Sequence, residues 1–343
     1  MTKKIALITG ISGQDGAYLA KFLLKKGYKV IGLERRSARS NNWRLEKLNI
    51  KDKVIIEDID IKEVNSLIRI FDKYKVDEVY NLAAQSFVYS SFQNPIETSL
   101  VNAIGVLNLL EIIRNKKNNI RFYQASTSEM FGKTKKINQD EKTLFHPRSP
   151  YATSKIFAHY SVQNYRDSYN LFASNGILFN HESPLRGEEF ITRKITLGLS
   201  KIFLKKQKEL KVGNIYAKRD WGYAEDYVEA MWKMLQLKKP NDYVIATGKS
   251  YSVKDFINEC VKILNLKAKW VGKGLKERLI DRENNKTLIS IDKRFFRPSE
   301  VDNLKGDYKK AKKDLKWKPR TSFSKLVKLM LYSDLEYIKN LKN

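Results

Sequence analysis

The sequence of 343 residues contains very little cysteine and histidine. Its single cysteine, Cys260, excludes an internal disulfide bond and is typical of a reducing compartment. Its three histidines, His146, His159 and His181, do not follow the spacing of a metal site, so no bound metal is expected. No apolar run reaches membrane-spanning length, and the opening "MTKKIALITG" has no apolar core of a signal peptide. We therefore expect a cytoplasmic protein without membrane attachment.

Acidic residues are also few, since 38 of them face 66 lysines and arginines, which gives a net charge of +28. Such an excess is found in nucleic-acid-binding proteins, on lysine-rich solvated surfaces, and in clefts for small anions such as nucleotides. The lysines are scattered in short groups such as "FLLKKGYK" and "DYKKAKKDLKWK" and do not form one basic arm. We therefore expect no nucleic-acid partner.

Strand-like and helix-like segments alternate in the first half of the chain. Strands are predicted at "KIALITG", "YKVIGLE", "KVIIEDI", "VDEVYNLAA", "IRFYQAST" and "FASNGILF", and helices at residues 14–26, 63–74, 97–114 and 150–169. This order predicts an α/β fold with a Rossmann-type, doubly wound parallel sheet. The alternation weakens after Asn180. We therefore expect a cofactor-binding domain at 1–180, to which later segments return, and a smaller, interwoven C-terminal substrate-binding domain at 181–343.

A glycine-rich turn, "TGISGQDG", follows the first predicted strand and opens the first helix. In a dinucleotide site, the first glycine makes the tight turn, the second lets the backbone approach a pyrophosphate, and the third lets helix pack on strand. The helix N-terminus then offers free N–H groups to the phosphates. The predicted phosphate cradle comprises Gly10, Ile11, Ser12, Gly13, Gln14, Asp15 and Gly16.

The end of the second strand, "GLERRS", bears on the choice between NAD and NADP. Glu34 stands where an acid binds a ribose 2′-hydroxyl, which favours NAD. Arg35, Arg36 and Ser37 follow at once and suit a 2′-phosphate. Because one carboxylate can turn to solvent, we expect the two arginines and the serine to prevail and the cofactor to be NADP.

Two short segments carry candidate catalytic groups. In "SPYATSK", Tyr151 and Lys155 are four residues apart on a predicted helix and so share a face. A nearby ammonium is expected to lower the pKa of the tyrosine. In "YQASTSEMFG", Thr127 and Glu129 are expected on one face of a strand end. A Thr/Tyr/Lys set beside a nicotinamide removes a proton from an alcohol while hydride leaves to the cofactor.

With these residues the sequence resembles the extended short-chain dehydrogenase/reductases and, among them, most closely the GDP-mannose 4,6-dehydratase family. The resemblance runs from about Lys4 to about Leu329. It rests on "TGISGQDGAYLA", "NLAAQS", "QASTSEMFG", "PRSPYATSK", "NGILFNHESPLRGEEFITRKIT", "AKRDWGYAEDYVEAMW", "DYVIATG", "FRPSEVD" and "LKWKPRTSF". The segments "NHESP", "TRKIT" and "KRDWG" separate this family from other sugar-nucleotide enzymes.

The resemblance implies an NADP-dependent dehydration of GDP-mannose and a homodimer or homotetramer. Tyr151 is then the base at the C4 hydroxyl, Lys155 its pKa partner and ribose anchor, and Glu129 the base at C5. Relatives acting on other sugar nucleotides carry an Asp where this chain has Ser128, so Glu129 is expected to hand its proton to the departing C6 hydroxyl. A dehydratase or epimerase for another GDP-hexose or GDP-heptose stays open, although an epimerase has no use for Glu129.

The resemblance also implies further binding residues. Cofactor contacts are expected at Asp58, Ile59, Leu82, Ala83, Ala84, Gln85, Ser86, His181 and Arg186. Substrate contacts are expected at Ser86, Asn180, Lys194, Arg219, Arg297 and Glu300, whose cations suit a diphosphate and whose carboxylate suits sugar hydroxyls. The chain departs from the family at Glu97, where a cofactor-side tyrosine is usual, at Leu185, where an arginine is usual, and in the segment 38–43, which takes part in the tetramer of relatives.

Overall fold

The computed structural model describes residues 3–38, 40–116, 119–296 and 299–341. Strands β1 to β15 are Ile5–Thr9, Lys29–Glu34, Ile55–Asp58, Glu78–Asn81, Arg121–Thr127, Ala173–Leu178, His181–Glu182, Leu210–Val212, Lys218–Arg219, Gly222–Tyr223, Tyr243–Ile245, Tyr251–Ser252, Ala268–Val271, Arg278–Asp281 and Thr287–Ile291. Helices α1 to α12 are Gln14–Lys25, Trp43–Lys47, Val64–Lys73, Val88–Gln93, Pro95–Ser99, Gly105–Asn115, Pro150–Tyr169, Ile191–Phe203, Ala224–Leu235, Val253–Ile263, Lys309–Asp314 and Phe323–Asn340.

A seven-stranded parallel sheet forms the centre of the fold, in the order β11-β6-β5-β4-β1-β2-β3. Strand β1 lies between β2 and β4, so the strand order reverses on either side of it. In doubly wound sheets, ligands bind outside the carboxyl ends of the strands at such a reversal. The topology therefore places the candidate site beyond Thr9 and Asn81.

Both faces of this sheet are covered, so most residues of its inner strands β1, β4, β5 and β6 are buried. On one face, Ile8 of β1 packs in a core cluster with side chains of α1 and α9, such as Leu19 and Met231. On the other face, Leu7 packs with side chains of α3, α6 and α7, such as Leu109. The predicted Rossmann-type α/β sheet is confirmed.

The later half of the chain both returns to the main sheet and builds a smaller layer. Strand β11 pairs in parallel with β6 at the edge of the central sheet. A second sheet has the order β13-β14-β15-β8, and α8, α10 and α12 pack around a core of their own with it. The smaller part is thus interwoven with the first, as expected, while a division at residue 180 stays a prediction.

The predicted helix 97–114 is instead two α-helices, α5 and α6, joined by the π-helical turn Leu100–Ile104. By length and composition alone, the stretch Pro95–Asn115 could cross a membrane, so the expectation that no segment reaches this length is wrong. Half of it is buried, with Leu109 and Ile113 in the core under the sheet. One face of this stretch is therefore a core face.

Candidate active site

The glycine-rich turn adopts the conformation that a phosphate cradle requires. Gly10 has a φ of +68°, and a Cβ there would lie 3.0 Å from backbone atoms of Ala83. A Cβ on Gly16 would lie 2.4 Å from the carbonyl oxygen of Gly10. Gly13 is the N-cap of α1, so the first N–H groups of the helix follow it. The tight turn at Gly10 and the close packing at Gly16 are thus present as predicted.

The turn is tied to the loop after β4 by Thr9, a residue that the sequence did not single out. Its hydroxyl donates to Oδ1 of Asn81 at 2.6 Å and accepts the backbone N–H groups of Leu82 and Ala83 at 3.0 Å. The neighbouring Asn81 continues this chain of bonds by donating to Gln124 at 2.7 Å. These bonds connect the ends of β1 and β4 to each other and to the middle of β5 at the reversal of the strand order.

His181, in the short strand β7, connects this strand to α1. Its Nε2 lies 2.7 Å from Oδ2 of Asp15, its Nδ1 lies 2.7 Å from the carbonyl oxygen of Phe179, and its ring stacks on Tyr227. Burial opposes charge on both partners, but their mutual attraction is stronger, so the pKa of His181 is raised and that of Asp15 is lowered. Both ring nitrogens therefore bind protein groups, and His181 fixes the cavity wall.

The four predicted catalytic side chains line one cavity of about 820 Å³, together with the glycine-rich turn. Thr127 is the last residue of β5, while Glu129 lies in the following 3₁₀ turn. The backbone N–H of Glu129 donates a hydrogen bond to the hydroxyl of Thr127 at 3.2 Å. The prediction that both share one strand face is therefore wrong. Tyr151 and Lys155 lie in the first turns of α7, which Ser149 caps.

The titration of Tyr151 and Lys155 is governed mainly by burial. Burial raises the pKa of Tyr151 to about 12, although a hydrogen bond with Thr127 lowers it in part. Burial lowers the pKa of Lys155 to about 8. The amine of Lys155 donates to the carbonyl oxygen of Ala125 at 2.9 Å and lies 6.0 Å from the ring centre of Tyr151. The expectation that Lys155 lowers the pKa of Tyr151 is therefore not met, because burial has the larger effect.

Two carboxylates flank Arg219, which lines the same cavity. Nε of Arg219 lies 3.8 Å from Oε1 of Glu129, and one terminal nitrogen lies 3.3 Å from Oε1 of Glu300. Another nitrogen donates to the carbonyl oxygen of Val301 at 2.6 Å. The guanidinium is thereby fixed beside the candidate base.

The remaining predicted substrate residues that the structure describes line the same cavity. Asn180 lines the cavity, and among the residues that the structure describes its buried Oδ1 has no hydrogen-bond partner. The amine of Lys194 lies 3.2 Å from the ring centre of Phe295, and burial lowers the pKa of this lysine. Ser86 is also on the cavity wall. Arg297 lies outside the described residues.

Several predicted cofactor residues do not line the cavity. The side chain of Ile11 is fully buried in the core, so only its backbone is available. Glu34, which we expected to be able to turn to solvent, is partly buried, and its Oε2 is buried without a hydrogen-bond partner in the described part of the chain. The other predicted cofactor residues that do not line the cavity are Arg35, Arg36, Ser37, Asp58 and Ile59, near the ends of β2 and β3, and Gln85 after β4.

Comparisons with known proteins show the family to which the chain belongs. The family model described as GDP-mannose 4,6 dehydratase matches residues 7–330. This chain belongs to the GDP-mannose 4,6-dehydratase family. GDP-mannose 4,6 dehydratase 1 of Arabidopsis thaliana is 51% identical over 350 residues, which cover 99% of this chain and 92% of the relative. GDP-mannose 4,6 dehydratase of Homo sapiens is 46% identical over 349 residues, which cover 99% and 94%.

Solved structures of other nucleotide-sugar enzymes share the fold of this dehydratase family member. UDP-glucose 4-epimerase of Thermotoga maritima with UDP-glucose has a TM-score of 0.80 at 22% identity, covering 98% of this chain and 100% of that chain. dTDP-glucose 4,6-dehydratase of Bacillus anthracis in complex with NAD has a TM-score of 0.79 at 20% identity, covering 98% and 97%. At these identities the likeness concerns the fold.

Arg44 forms hydrogen bonds with two loops beside the cavity. Leu185 is buried in the core cluster around α1, and its carbonyl oxygen accepts a hydrogen bond from Nε of Arg44 at 2.7 Å. The same guanidinium donates to the carbonyl oxygen of Ser12 at 3.1 Å. Arg44 thus connects the glycine-rich turn to the loop that carries Arg186. It was missed because nothing in "NNWRLEKL" marks its partners, which are backbone atoms far away in sequence.

Aromatic and basic side chains on the cavity wall were also missed. Phe190 lies under the guanidinium of Arg186, whose central carbon is 3.5 Å from the ring centre. Arg294 and Phe295 reach the wall from a 3₁₀ turn after β15. These residues come from segments in which the sequence shows no regular pattern, so no signal indicated that they face the site.

Proposed function

We propose that this protein dehydrates GDP-mannose to GDP-4-keto-6-deoxymannose, with NADP as a cofactor that is not consumed. The observation that carries the proposal is the gathering of Thr127, Glu129, Tyr151 and Lys155 in one cavity beside the glycine-rich turn. An oxidation site alone needs the hydroxyl, phenol and amine. The buried carboxylate is the addition that an elimination needs.

The residues present fit a nicotinamide dinucleotide. A side chain on Gly10 would press on the backbone of Ala83, so the turn is shaped for close approach, and the N-terminus of α1 attracts phosphate. Arg35, Arg36 and Ser37 would hold a 2′-phosphate, and Lys155 a ribose hydroxyl. When bound, the nicotinamide supplies a hydride acceptor for C4 and returns the hydride to C6.

Tyr151 would take the proton of the C4 hydroxyl, helped by Thr127. With its pKa raised to about 12 by burial, the phenol needs added positive charge to act near neutral pH. Lys155 and an oxidised nicotinamide ring are the groups that would bring this charge near Tyr151. Oxidation at C4 makes the proton on C5 acidic, which prepares the elimination.

Glu129 would take the C5 proton and pass it to the hydroxyl leaving from C6 as water. C5 then receives a proton from solvent as the hydride returns to C6, so the sugar ends at the oxidation level at which it began. Ser128 precedes Glu129, and no second acid stands at that position in the chain. One carboxylate, only 7% exposed, would therefore serve both proton transfers.

The GDP moiety would lie against a group of polar residues that line the cavity and include Arg219 and Lys194. The guanidinium of Arg219 and the amine of Lys194 suit the diphosphate. The unpartnered amide oxygen of Asn180 and the carboxylate of Glu300 suit hydroxyl or N–H donors of the ligand. Ser86, which lines the cavity in the loop after β4, would contact the sugar.

The protein would act as a homodimer or homotetramer in the cytoplasm. Ile96, Leu100 and Ile104 form an exposed apolar strip along α5 and the π-helical turn, and Phe157 and Tyr160 of the adjacent α7 are exposed too. A second copy of this chain would bury this strip. Light scattering at micromolar concentration tests the assembly, and a monomer would contradict it.

The cysteine content is compatible with the proposed location in the cytoplasm, since the single cysteine, Cys260, is buried.

Incubation with GDP-mannose, followed by mass measurement of the product, tests the proposed reaction. The expected product has lost the mass of one water molecule, without net consumption of cofactor. An epimerase would leave the mass unchanged. Recovery of all the GDP-mannose without any dehydrated product would overturn the proposal. Competition by GDP, UDP and dTDP tests the nucleotide, since only GDP is expected to inhibit strongly.

A further inference from the structure

A cluster of alternating charges lies at the ends of β2 and β3. Glu97, near the start of α5, accepts two hydrogen bonds from the amine of Lys62, at 2.8 and 3.0 Å. Its Oε1 also lies 3.7 Å from a terminal nitrogen of Arg35, and Asp60 lies 3.6 Å from the same amine. Glu97 therefore stands between two cations at the edge of the sheet where the adenosine ribose of a dinucleotide lies in doubly wound folds.

The same edge offers an acceptor for an unmodified ribose. Glu34 ends β2, and its Oε2 is buried without a hydrogen-bond partner in the part of the chain that the structure describes. An acid at this position binds the 2′-hydroxyl of NAD. A buried carboxylate oxygen without a donor is costly, and a ribose hydroxyl would satisfy it.

Resting on the proposed function, we infer that Glu97 determines cofactor specificity by competing with a 2′-phosphate for Arg35 and Lys62. The preference of the chain for NADP over NAD is then smaller than Arg35, Arg36 and Lys62 alone would give. The arginine pair attracts the phosphate, while Glu97 offsets part of that attraction and Glu34 favours the hydroxyl.

The competition follows from charge and exposure. Arg35 is 71% exposed and Glu97 is 41% exposed, so a phosphate can reach the cation only in the presence of this carboxylate. A 2′-phosphate carries close to two negative charges, and each is repelled by Glu97. Exposed charge pairs shift affinities by up to about fivefold each, so removal of the Glu97 charge is expected to strengthen NADP binding by about five- to tenfold.

Equilibrium binding of NADP and of NAD to the full chain, measured by calorimetry, tests this inference. Glu97→Gln keeps the side-chain size and is expected to lower the Kd for NADP by about five- to tenfold while the Kd for NAD changes less than about twofold. High salt is expected to reduce this gain because the charges are exposed. Lys62→Gln, which removes a cation, is expected to weaken NADP binding and leave NAD binding unchanged.

Glu283→Gln is the matched control, since Glu283 pairs with Lys267 at 2.8 Å on an exposed hairpin of the second sheet. It makes the same change in net charge and is expected to alter neither Kd. If Glu97→Gln changes the thermal midpoint but not the ratio of the two Kd values, Glu97 only anchors α5, and the inference is overturned.

The outcome is separable from that of the proposed function, because dinucleotide binding is measured without GDP-mannose. A chain that binds both dinucleotides but does not dehydrate GDP-mannose contradicts the proposed function alone. A chain that dehydrates GDP-mannose with an unaltered NADP preference in Glu97→Gln contradicts the specificity inference alone.

Discussion

The carboxylate of Glu129 lies 3.8 Å from the guanidinium of Arg219, measured between Oε1 and Nε. Both side chains are almost completely buried, so solvent screens their attraction only weakly. Arg219 also lies 3.3 Å from Glu300. Glu129, the proposed base at C5, and Arg219, the proposed contact for the diphosphate, therefore interact electrostatically.

Arg219→Gln is expected to lower kcat/KM for GDP-mannose by at least about thirtyfold, because it removes a buried cation that two carboxylates and the diphosphate share. Steady-state kinetics measures this loss, and the Kd for the dinucleotide should stay unchanged. Arg114→Gln is the control, since Arg114 makes an exposed pair with Glu111 at 2.8 Å. Equal kinetics for Arg219→Gln and wild type would show that this guanidinium does not bind the substrate.

Gly10 and Gly27 both have positive φ, and comparison of the two distinguishes the effect of backbone strain from the effect of the shape of the phosphate cradle. Gly10→Ala and Gly27→Ala both place a Cβ at positive φ, at +68° and +84°, and each is expected to cost about 1 kcal/mol or more of stability. Only at Gly10 does the Cβ meet neighbouring backbone, whereas at Gly27 nothing lies within 4 Å. Dinucleotide binding, measured by titration, should therefore weaken strongly in Gly10→Ala alone. Equal weakening in both variants would contradict the cradle.

His159 is expected to make stability depend on pH. Burial lowers its pKa from 6.5 to about 4, an effect that Asp242 partly opposes. The unfolded chain then takes up the proton at higher pH, so this stability is complete above about pH 6.5 and is lost as pH falls toward 4. Between pH 7 and 5 the loss is about 2 kcal/mol.

The measurement is the free energy of unfolding from urea titrations at pH 7 and pH 5, compared with His159→Gln. Other groups, including the pair of Asp15 and His181, titrate in both proteins and cancel in the difference. The variant should lose about 2 kcal/mol less than wild type on acidification. Parallel pH profiles would show that burial of this ring does not shift its titration.

The central sheet and the catalytic set could be predicted from the sequence because their signals are local. The apolar runs that become β1, β2 and β5, and the helix predicted at residues 150–169, match the observed elements closely. The spacing of Tyr151 and Lys155 fixes their common face through helix geometry. The glycine-rich turn was predictable for the same reason, since each glycine has a steric task within a few residues.

The remaining features depend on contacts between distant segments. Strand β11 is only three residues long and gives no period of its own, yet it completes the central sheet beside β6. The pKa of Tyr151 is set by burial, which the spacing to Lys155 does not reveal. Glu129 could be singled out, but its place in a 3₁₀ turn beside Arg219 depends on chain segments that meet only in the fold.

Glu129→Gln is expected to lower kcat by about a hundred- to ten-thousandfold, because it preserves size but removes the general base. Oxidation at C4 should survive, so that reduced nicotinamide accumulates and is visible by its absorbance. Tyr151→Phe should block that earlier step and give no such signal. The two variants thus separate the oxidation from the elimination.

Location of deuterium after reaction of GDP-mannose in D₂O tests the central role of Glu129 most directly. Wild-type protein is predicted to give a product with solvent deuterium at C5 and with the original C4 hydrogen at C6 of the same molecule. Glu129→Gln is predicted to leave C5 unexchanged although C4 is oxidised. A wild-type product without deuterium at C5, or normal exchange at C5 in Glu129→Gln, would contradict the proposal that this carboxylate removes the C5 proton.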